Sequence, residues 1–121
     1  MSLRNSLYYI LGSNESEYTI RFDASHPIFA GHFPGHPVLP GACLVQIAEE
    51  LLSTHLSQKV RFTSVRNLKF RQPVTPDQEV TLTFSPSMRG NVGCSFNFQL
   101  STINLISASF TATYMCLDSD L

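Results

Sequence analysis

Alternating apolar and polar residues predict four β-strands in this chain of 121 residues. Successive side chains of a strand point to opposite faces of its sheet, so this alternation is typical of a strand with one buried face. The pattern runs over residues 18–22, 80–84, 94–100 and 106–114, and a turn signal at 89–91 predicts a hairpin between the second and third segments. The last strand is expected to bury its apolar set: Ile106, Ala108, Phe110, Ala112 and Tyr114.

A helical spacing of apolar residues replaces the alternation from about Gly41 to His55. Its predicted buried face is broad and consists of Leu44, Ile47, Ala48, Leu51 and Leu52. A narrow polar stripe remains, formed by Gln46, Glu49, Glu50 and Ser53. One apolar helix among several half-buried strands predicts an α+β architecture in which a sheet packs against the helix.

The composition is that of an ordinary globular protein. The chain is 43% hydrophobic and 14% charged with a net charge of -1, which argues against disorder and bulk nucleic-acid binding. We expect one domain over residues 1–121, because this length supports a single core. No signal-peptide core or membrane-spanning stretch is expected, so the cytoplasm is the expected location. The three cysteines, Cys43, Cys94 and Cys116, lack metal-like spacing and are expected to be reduced core residues.

The segment from Gly31 to Gly41, GHFPGHPVLPG, carries the strongest chemical signal. Its three prolines restrict the φ angles of the loop, and its glycines allow a ligand to approach the backbone closely. The loop holds His32, whose imidazole can take and return a proton near neutral pH, and it runs directly into the helix. The first amide N–H groups of a helix have no intrahelical acceptors, so those near Gly41 would suit a developing oxyanion.

The spacing of this motif resembles the 3-hydroxyacyl-acyl-carrier-protein dehydratases of fatty-acid and polyketide synthesis. His32 is followed by Pro40 and Gly41 at its eighth and ninth positions, within HPIFAGHFPGHPVLPG over residues 26–41. A second similar stretch, NLKFRQPVTPDQEV, covers residues 67–80. The resemblance implies a hotdog fold, in which a curled antiparallel sheet wraps around one long central helix.

The resemblance also implies an activity and an assembly. The reaction would dehydrate (3R)-3-hydroxyacyl thioesters to trans-2-enoyl thioesters, with the substrate delivered on the phosphopantetheine of acyl carrier protein and without a further cofactor. The protein would be a homodimer or a dimer-based oligomer, in which each site combines the histidine of one subunit with a helix residue of the other. Neither nucleic acid nor a membrane is an expected partner.

By the same resemblance, His32 is the base that removes the α-proton and the N–H of Gly41 binds the thioester carbonyl. The apolar and proline residues expected to line an acyl tunnel are Phe33, Val38, Leu39 and Pro40. Apolar residues in such a motif are as often simple core packing, so the acyl length is not readable from them.

One departure from the family concerns the carboxylate expected five residues after Gly41, where this chain has Gln46. An amide donates and accepts hydrogen bonds but releases no proton. Three explanations remain open. Gln46 orients the leaving hydroxyl while His32 moves the proton alone; Glu50, one helical turn later, supplies the acid; or the protein is catalytically impaired and serves as a pairing subunit. Because the family commonly has an acid at the first position and glutamine at the second, this chain resembles a swap of the two.

A basic region following the helix suggests where a carrier protein would dock. Five of the eight basic residues lie between Lys59 and Arg71, and Lys69 and Arg71 are expected on one strand face. They would attract an acidic carrier protein, although they would also serve simply to keep an outer strand face hydrated. A metal site built from His26, His32 and His36 is disfavoured, because no carboxylate or thiolate completes it. A thioesterase of the same fold and a noncatalytic pairing subunit remain the rival functions.

Overall fold

A computed structural model describes residues 2–30, 35, 37–86, 93–101, 103 and 105–117. Within these residues the chain forms six strands, a 3-10 turn at Pro27–Phe29 and one α-helix, α1, at Gly41–Leu56. The strands are β1 (Tyr8–Ser13), β2 (Glu17–Phe22), β3 (Val60–Phe70), β4 (Val80–Pro86), β5 (Gly93–Leu100) and β6 (Ile106–Cys116).

The six strands form one sheet in the order β1-β2-β4-β5-β6-β3, and each neighbouring pair is antiparallel. The prediction of an α+β fold is therefore confirmed. All four predicted strands are present, and β4 pairs with β5 as the hairpin prediction required, although its turn at 89–91 lies outside the described residues. Strand β1 and the first part of β3 were not predicted from the alternation, and these two strands form the sheet edges.

Helix α1 packs its apolar face into the sheet. Its buried residues are the five predicted from the helical spacing: Leu44, Ile47, Ala48, Leu51 and Leu52. They join one core cluster with inward side chains of β2, β4, β5 and β6. Aromatic rings fill much of this core, and the rings of Phe96 and Phe110 stack with centroids 5.0 Å apart. The packing of this face fixes which way the polar stripe and the first turn of the helix point.

The beginning of β6 differs from the predicted alternation. Ile106 is exposed, whereas Ser107 is fully buried and donates a hydrogen bond from Oγ to the carbonyl oxygen of Phe98 at 3.3 Å. The pairing of β5 with β6 shifts register here, because Gln99 pairs with Ile106 while Phe98 pairs with Ala108. Such an irregularity turns one side chain out of the period-two pattern, so the prediction that Ile106 is buried was wrong.

The three cysteines are not all buried, as had been predicted. All three cysteines are free; Cys94 is a core residue and the half-buried Cys43 packs against the core, but Cys116 is exposed. The prediction of three core cysteines was therefore wrong for Cys116.

In the described part of the chain, no helix is both long and apolar enough to cross a membrane.

Candidate active site

Helix α1 begins without a side-chain cap. Pro40 occupies the N-cap position in an extended conformation (φ -59°, ψ 136°), and no side chain there bonds the helix. The chain is led into the helix by Leu39, whose N–H donates to the carbonyl oxygen of Val74 at 2.8 Å. The amide of Cys43 donates to the carbonyl of Pro40 at 3.0 Å, so Gly41 and Ala42 precede the first helical hydrogen bond. Their N–H groups lie at the positive end of the helix dipole, where an anionic oxygen is stabilised.

An apolar cavity of about 530 Å³ opens beside this first turn. It is lined by Val38, Leu39, Gly41, Leu44, Phe70, Arg71, Gln72, Pro73 and Val74. The structure therefore brings together two of the predicted tunnel residues, the predicted carbonyl donor and one predicted docking residue. Pro40 serves as the helix N-cap instead of lining this cavity, and His32 and Phe33 lie outside the described residues.

The ring of Phe70 covers the start of the helix. A Cβ atom added to Gly41 would lie 2.7 Å from Cε1 and 2.8 Å from Cε2 of that ring, and closer still to Cζ. Real carbon atoms do not approach so closely, so any side chain at position 41 would have to displace the ring of Phe70. The approach of β3 to the helix is set by bulges in its pairing with β6, where Asn67 adopts a left-handed conformation (φ 58°).

The polar stripe of α1 lines a different cavity, of about 420 Å³. Its lining residues are Ser2, Arg4, Gln46, Glu49, Glu50, Ser53, Thr54, Lys59 and Val60. Gln46 and Glu50 are brought together here, but neither lines the cavity at Gly41. Five residues of helix separate Gly41 from Gln46, which is about 140° around the axis and about 7.5 Å along it. Within one chain, the two predicted parts of the site therefore face different ways.

Glu50 holds the N-terminal segment of the protein. Its Oε2 accepts hydrogen bonds from the N–H of Leu3 at 2.8 Å and from Nε2 of Gln46 at 3.2 Å. Its Oε1 accepts from the N–H of Arg4 at 3.1 Å, the hydroxyl of Tyr8 at 2.9 Å and Oγ of Ser2 at 3.3 Å. Burial of Tyr8, together with the nearby negative charge of Glu50, raises the pKa of the phenol well above its ordinary value. Tyr8 therefore remains a hydrogen-bond donor to this carboxylate.

Glu49 has a separate structural role. Its Oε2 accepts a hydrogen bond from the N–H of Phe62 at 2.8 Å, while Oγ of Ser53 accepts from the N–H of Val60 at 3.0 Å. These contacts attach the start of β3 to the helix. Glu49 belongs to the predicted polar stripe, and the structure gives it a specific backbone partner.

The two predicted docking residues lie near each other in sequence but line different surfaces. Lys69 borders a shallow groove on the sheet with Asn67, Ser109 and Thr111. Arg71 follows the end of β3, borders the apolar cavity, and donates its N–H to the carbonyl of Ser107 at 2.7 Å. Both side chains are exposed, and their role in docking stays a prediction.

The described histidines outside the motif have structural contacts. His26 caps the 3-10 turn, with its Nδ1 accepting from the N–H of Ile28 at 3.1 Å. The ring of His55 packs edge-on against Phe84, with centroids 4.7 Å apart. Among residues that the structure describes, no group of three His, Cys, Asp or Glu side chains could hold a metal; His32 and His36 are outside that set.

Comparison with known proteins identifies the family of this chain. Residues 11–109 match the sequence profile of the ApeI-like family, described as ApeI dehydratase. The chain belongs to this family. The 3-hydroxyacyl-[acyl-carrier-protein] dehydratase FabZ of Paramagnetospirillum magneticum is 33% identical over 117 residues, covering 88% of this chain and 72% of that enzyme. Alignments with three further FabZ dehydratases cover 43%, 46% and 45% of those enzymes.

Solved structures confirm the hotdog fold expected for an ApeI-like dehydratase. The dehydratase heterocomplex ApeI:P from Xenorhabdus doucetiae has a TM-score of 0.69 at 22% identity, covering 90% of this chain and 95% of that chain. Thioesterase superfamily member 2 from Mus musculus has a TM-score of 0.64 at 11% identity, covering 92% and 82% of the two chains. At these identities the two structures establish the fold alone.

Two features of the site were not found by sequence reasoning. The contact of Phe70 with Gly41 joins residues 29 positions apart, and the bonds of Glu50 reach back across 42 to 48 positions. The tyrosine, serine and arginine of the N-terminal segment carry no periodic signal for these contacts. A role for the carboxylate of Glu50 was indicated by its position on the polar stripe and by the resemblance to a swap with position 46, but neither signal pointed to these partners.

Proposed function

We propose that this ApeI-like protein dehydrates (3R)-3-hydroxyacyl thioesters, carried on acyl carrier protein, to trans-2-enoyl thioesters. The observation that carries the proposal is the uncapped start of α1 at Gly41, which borders an apolar cavity large enough for an acyl chain. The similarity to FabZ dehydratases supports the same reaction class. No cofactor beyond the phosphopantetheine arm is needed for this elimination.

The proposed chemistry uses three groups. The N–H at Gly41 binds the thioester oxygen, which becomes more negative as the α-proton leaves. His32 removes that proton, and the apolar lining of the cavity excludes water that would compete for these contacts. Gln46 binds the departing hydroxyl, and His32 returns its proton to that oxygen. The products are the enoyl thioester and one water molecule, so atoms and charge balance.

The geometry favours a site shared between two subunits. Because Gly41 and Gln46 of one chain border different cavities, a substrate bound at one Gly41 needs Gln46 of a second chain. Strand β3 is an edge strand of eleven residues, and its Val65, Leu68 and Phe70 are exposed in the single chain. Unpaired edge strands with exposed apolar side chains are ready to pair with another copy. We therefore propose a homodimer.

Docking of the carrier is proposed at Arg71 and Lys69. Arg71 borders the cavity that would receive the acyl group, so an acidic carrier protein at its rim could insert the phosphopantetheine arm there. Replacing Arg71 and Lys69 by glutamate should raise the KM for carrier-bound substrate and spare a small soluble thioester. Equal effects on both substrates would contradict docking.

A cytoplasmic fatty-acid, polyketide or polyene pathway is the proposed setting.

A pairing subunit is the second candidate function, because Gln46 stands where the family has an acid. A chain of the same fold belongs to the dehydratase heterocomplex ApeI:P from Xenorhabdus doucetiae, which supports this candidate. A thioesterase is less favoured, since the similarity to thioesterases extends only to the fold. Under that function, the site would need an activated water beside the thioester carbon.

Activity of the purified chain separates the three functions. The chain is incubated with 3-hydroxyacyl, trans-2-enoyl and saturated thioesters of the carrier protein, and products are identified by mass spectrometry. Interconversion of hydroxyacyl and enoyl species supports the dehydratase, and His32→Ala should reduce it by roughly 100-fold or more. Release of free acid would instead indicate a thioesterase. No reaction with any substrate would favour the pairing subunit.

A further inference from the structure

The carboxylate of Glu50 is fully occupied as a hydrogen-bond acceptor. Five donors converge on its two oxygens, two of them backbone amides and the others the side chains of Ser2, Tyr8 and Gln46. A carboxylate offers about four lone-pair sites, so this set saturates it. A general acid must instead carry a proton on one oxygen. Such a proton would face N–H and O–H donors and would displace at least one of these bonds.

The same contacts fix the amide of Gln46. An ionised carboxylate only accepts hydrogen bonds, so the amide atom that faces Glu50 must be the nitrogen Nε2. The amide group is planar, and its Oε1 is therefore directed away from Glu50. In the proposed reaction Gln46 binds the leaving hydroxyl, so the contact between Nε2 and Glu50 would fix the orientation of the amide group that makes this bond.

The N-terminal segment, residues 2–8, takes part in this arrangement. Tyr8 is fully buried, so its hydroxyl reaches Glu50 from a side chain anchored in the core. The amides of Leu3 and Arg4 complete the cradle, and the guanidinium of Arg4 donates to Thr54 at 3.5 Å, one turn further along α1. The segment thus holds both carboxylate oxygens of Glu50, one of which also accepts from Gln46.

We propose that Glu50 is a positioning residue that orients Gln46, and that the N-terminal segment supports catalysis by fixing Glu50. This inference rests on the proposed dehydratase function. It assigns the swapped acid a supporting role and assigns proton transfer to His32 alone. It also explains why an acid at position 50 is useful: a carboxylate accepts from the amide of Gln46 and from two backbone amides at once.

Three variants test this role. Glu50→Ala removes the acceptor, Glu50→Gln keeps one carbonyl oxygen that can still accept from Nε2 of Gln46, and Glu49→Gln is the matched control. Glu49 is adjacent on the stripe and loses the same charge, but its partner is the N–H of Phe62 on β3. Steady-state kinetics with 3-hydroxyacyl carrier protein, thermal unfolding and amide hydrogen exchange of residues 2–8 are measured for each variant.

We expect Glu50→Ala to lower kcat by roughly 100-fold with little change in KM, because a misplaced contact acts mainly on the transition state. The amides of Leu3 and Arg4 should exchange faster in this variant. Glu50→Gln should restore most of the lost rate, since it can still orient Gln46. Glu49→Gln should keep the wild-type kcat.

Each contrary result has a distinct meaning. If Glu50→Gln folds normally but is as slow as Glu50→Ala, Glu50 is the acid and the positioning role is wrong. If Glu50→Ala retains the wild-type kcat, Glu50 has no role in the reaction. Should Glu50→Ala fail to fold, the comparison of Glu50→Gln with Glu49→Gln decides, and equal loss in both would overturn the inference. If wild-type protein itself converts no 3-hydroxyacyl substrate, the proposed function fails and the positioning role fails with it.

Discussion

Replacing Gly41 by alanine tests the proposed carbonyl site directly. The new Cβ would lie 2.7 to 2.8 Å from two ring carbons of Phe70 and closer to a third. Carbon atoms in contact prefer separations of about 3.5–4.0 Å, so the ring must move by about 1 Å or more. The colliding atoms are at the far end of the ring and Phe70 is 53% exposed, so the ring moves more easily than the helix.

Gly41→Ala is expected to change turnover much more than it changes stability. An off-rotamer side chain costs about 0.5–1.5 kcal/mol, and alanine gains up to about 1 kcal/mol over glycine in a helix, so the free energy of unfolding should change by about 1.5 kcal/mol at most. Displacing the ring across the carbonyl site by about 1 Å should lower kcat/KM by roughly 100-fold. The expected result is therefore a folded and slow enzyme.

The double variant Gly41→Ala with Phe70→Ala identifies the cause. Removing the ring removes the collision, so the double variant should be faster than Gly41→Ala alone, and the two changes should be non-additive by about 1–3 kcal/mol in activation free energy. Steady-state kinetics and thermal unfolding of the four proteins in this cycle provide the measurement. Wild-type turnover in Gly41→Ala, or strictly additive effects, would refute the placement of the carbonyl at this helix start.

Further predictions concern the thiols, alkaline stability and the core. Burial raises the pKa of Cys94 to about 11, so at pH 8 iodoacetamide should label exposed Cys116 well before Cys94, as followed by mass spectrometry; equal rates would contradict the burial. Because the folded-state pKa lies above the ordinary value of 9.0, this thiol's contribution to stability is complete below pH 9 and lost between about pH 9 and 11. The pKa of Tyr8 is also raised, so the urea midpoint of unfolding should fall as the pH rises over this range. The midpoint should fall less steeply in Cys94→Ala, which lacks the thiol. Leu51→Ala should cost about 2–5 kcal/mol in urea unfolding, and a cost under 1 kcal/mol would contradict its full burial.

The sequence predicts this fold well where one local period governs burial. All five apolar residues predicted on α1 are buried, because a helix packed on a sheet must bury one continuous face. The period fails at Ile106 and Ser107, where a change of register between β5 and β6 decides which side chain is buried. That register depends on how the two strands meet, and neither strand encodes it alone.

The sequence likewise predicts one part of the candidate site and does not predict another. The position of Gly41 at the start of α1 follows from the local sequence, since Pro40 ends the loop and the helical spacing begins immediately afterwards. The role of Glu50 does not follow, because its partners are backbone amides and hydroxyls from a segment more than forty residues earlier. Backbone amides have no sequence signature, so a carboxylate that binds them resembles any solvated helix glutamate.

The structure shows what the apparent swap of the acid and the amide between positions 46 and 50 changes physically. An acid and an amide one helical turn apart still form a hydrogen-bonded pair, here between Nε2 of Gln46 and Oε2 of Glu50 at 3.2 Å. What changes is which member lies toward the N-terminal segment. The charged member accepts from the amides of Leu3 and Arg4, where a neutral glutamine would bind less strongly. Under the proposed function, this arrangement would orient the leaving hydroxyl through a neutral group and would leave both proton transfers to the imidazole of His32.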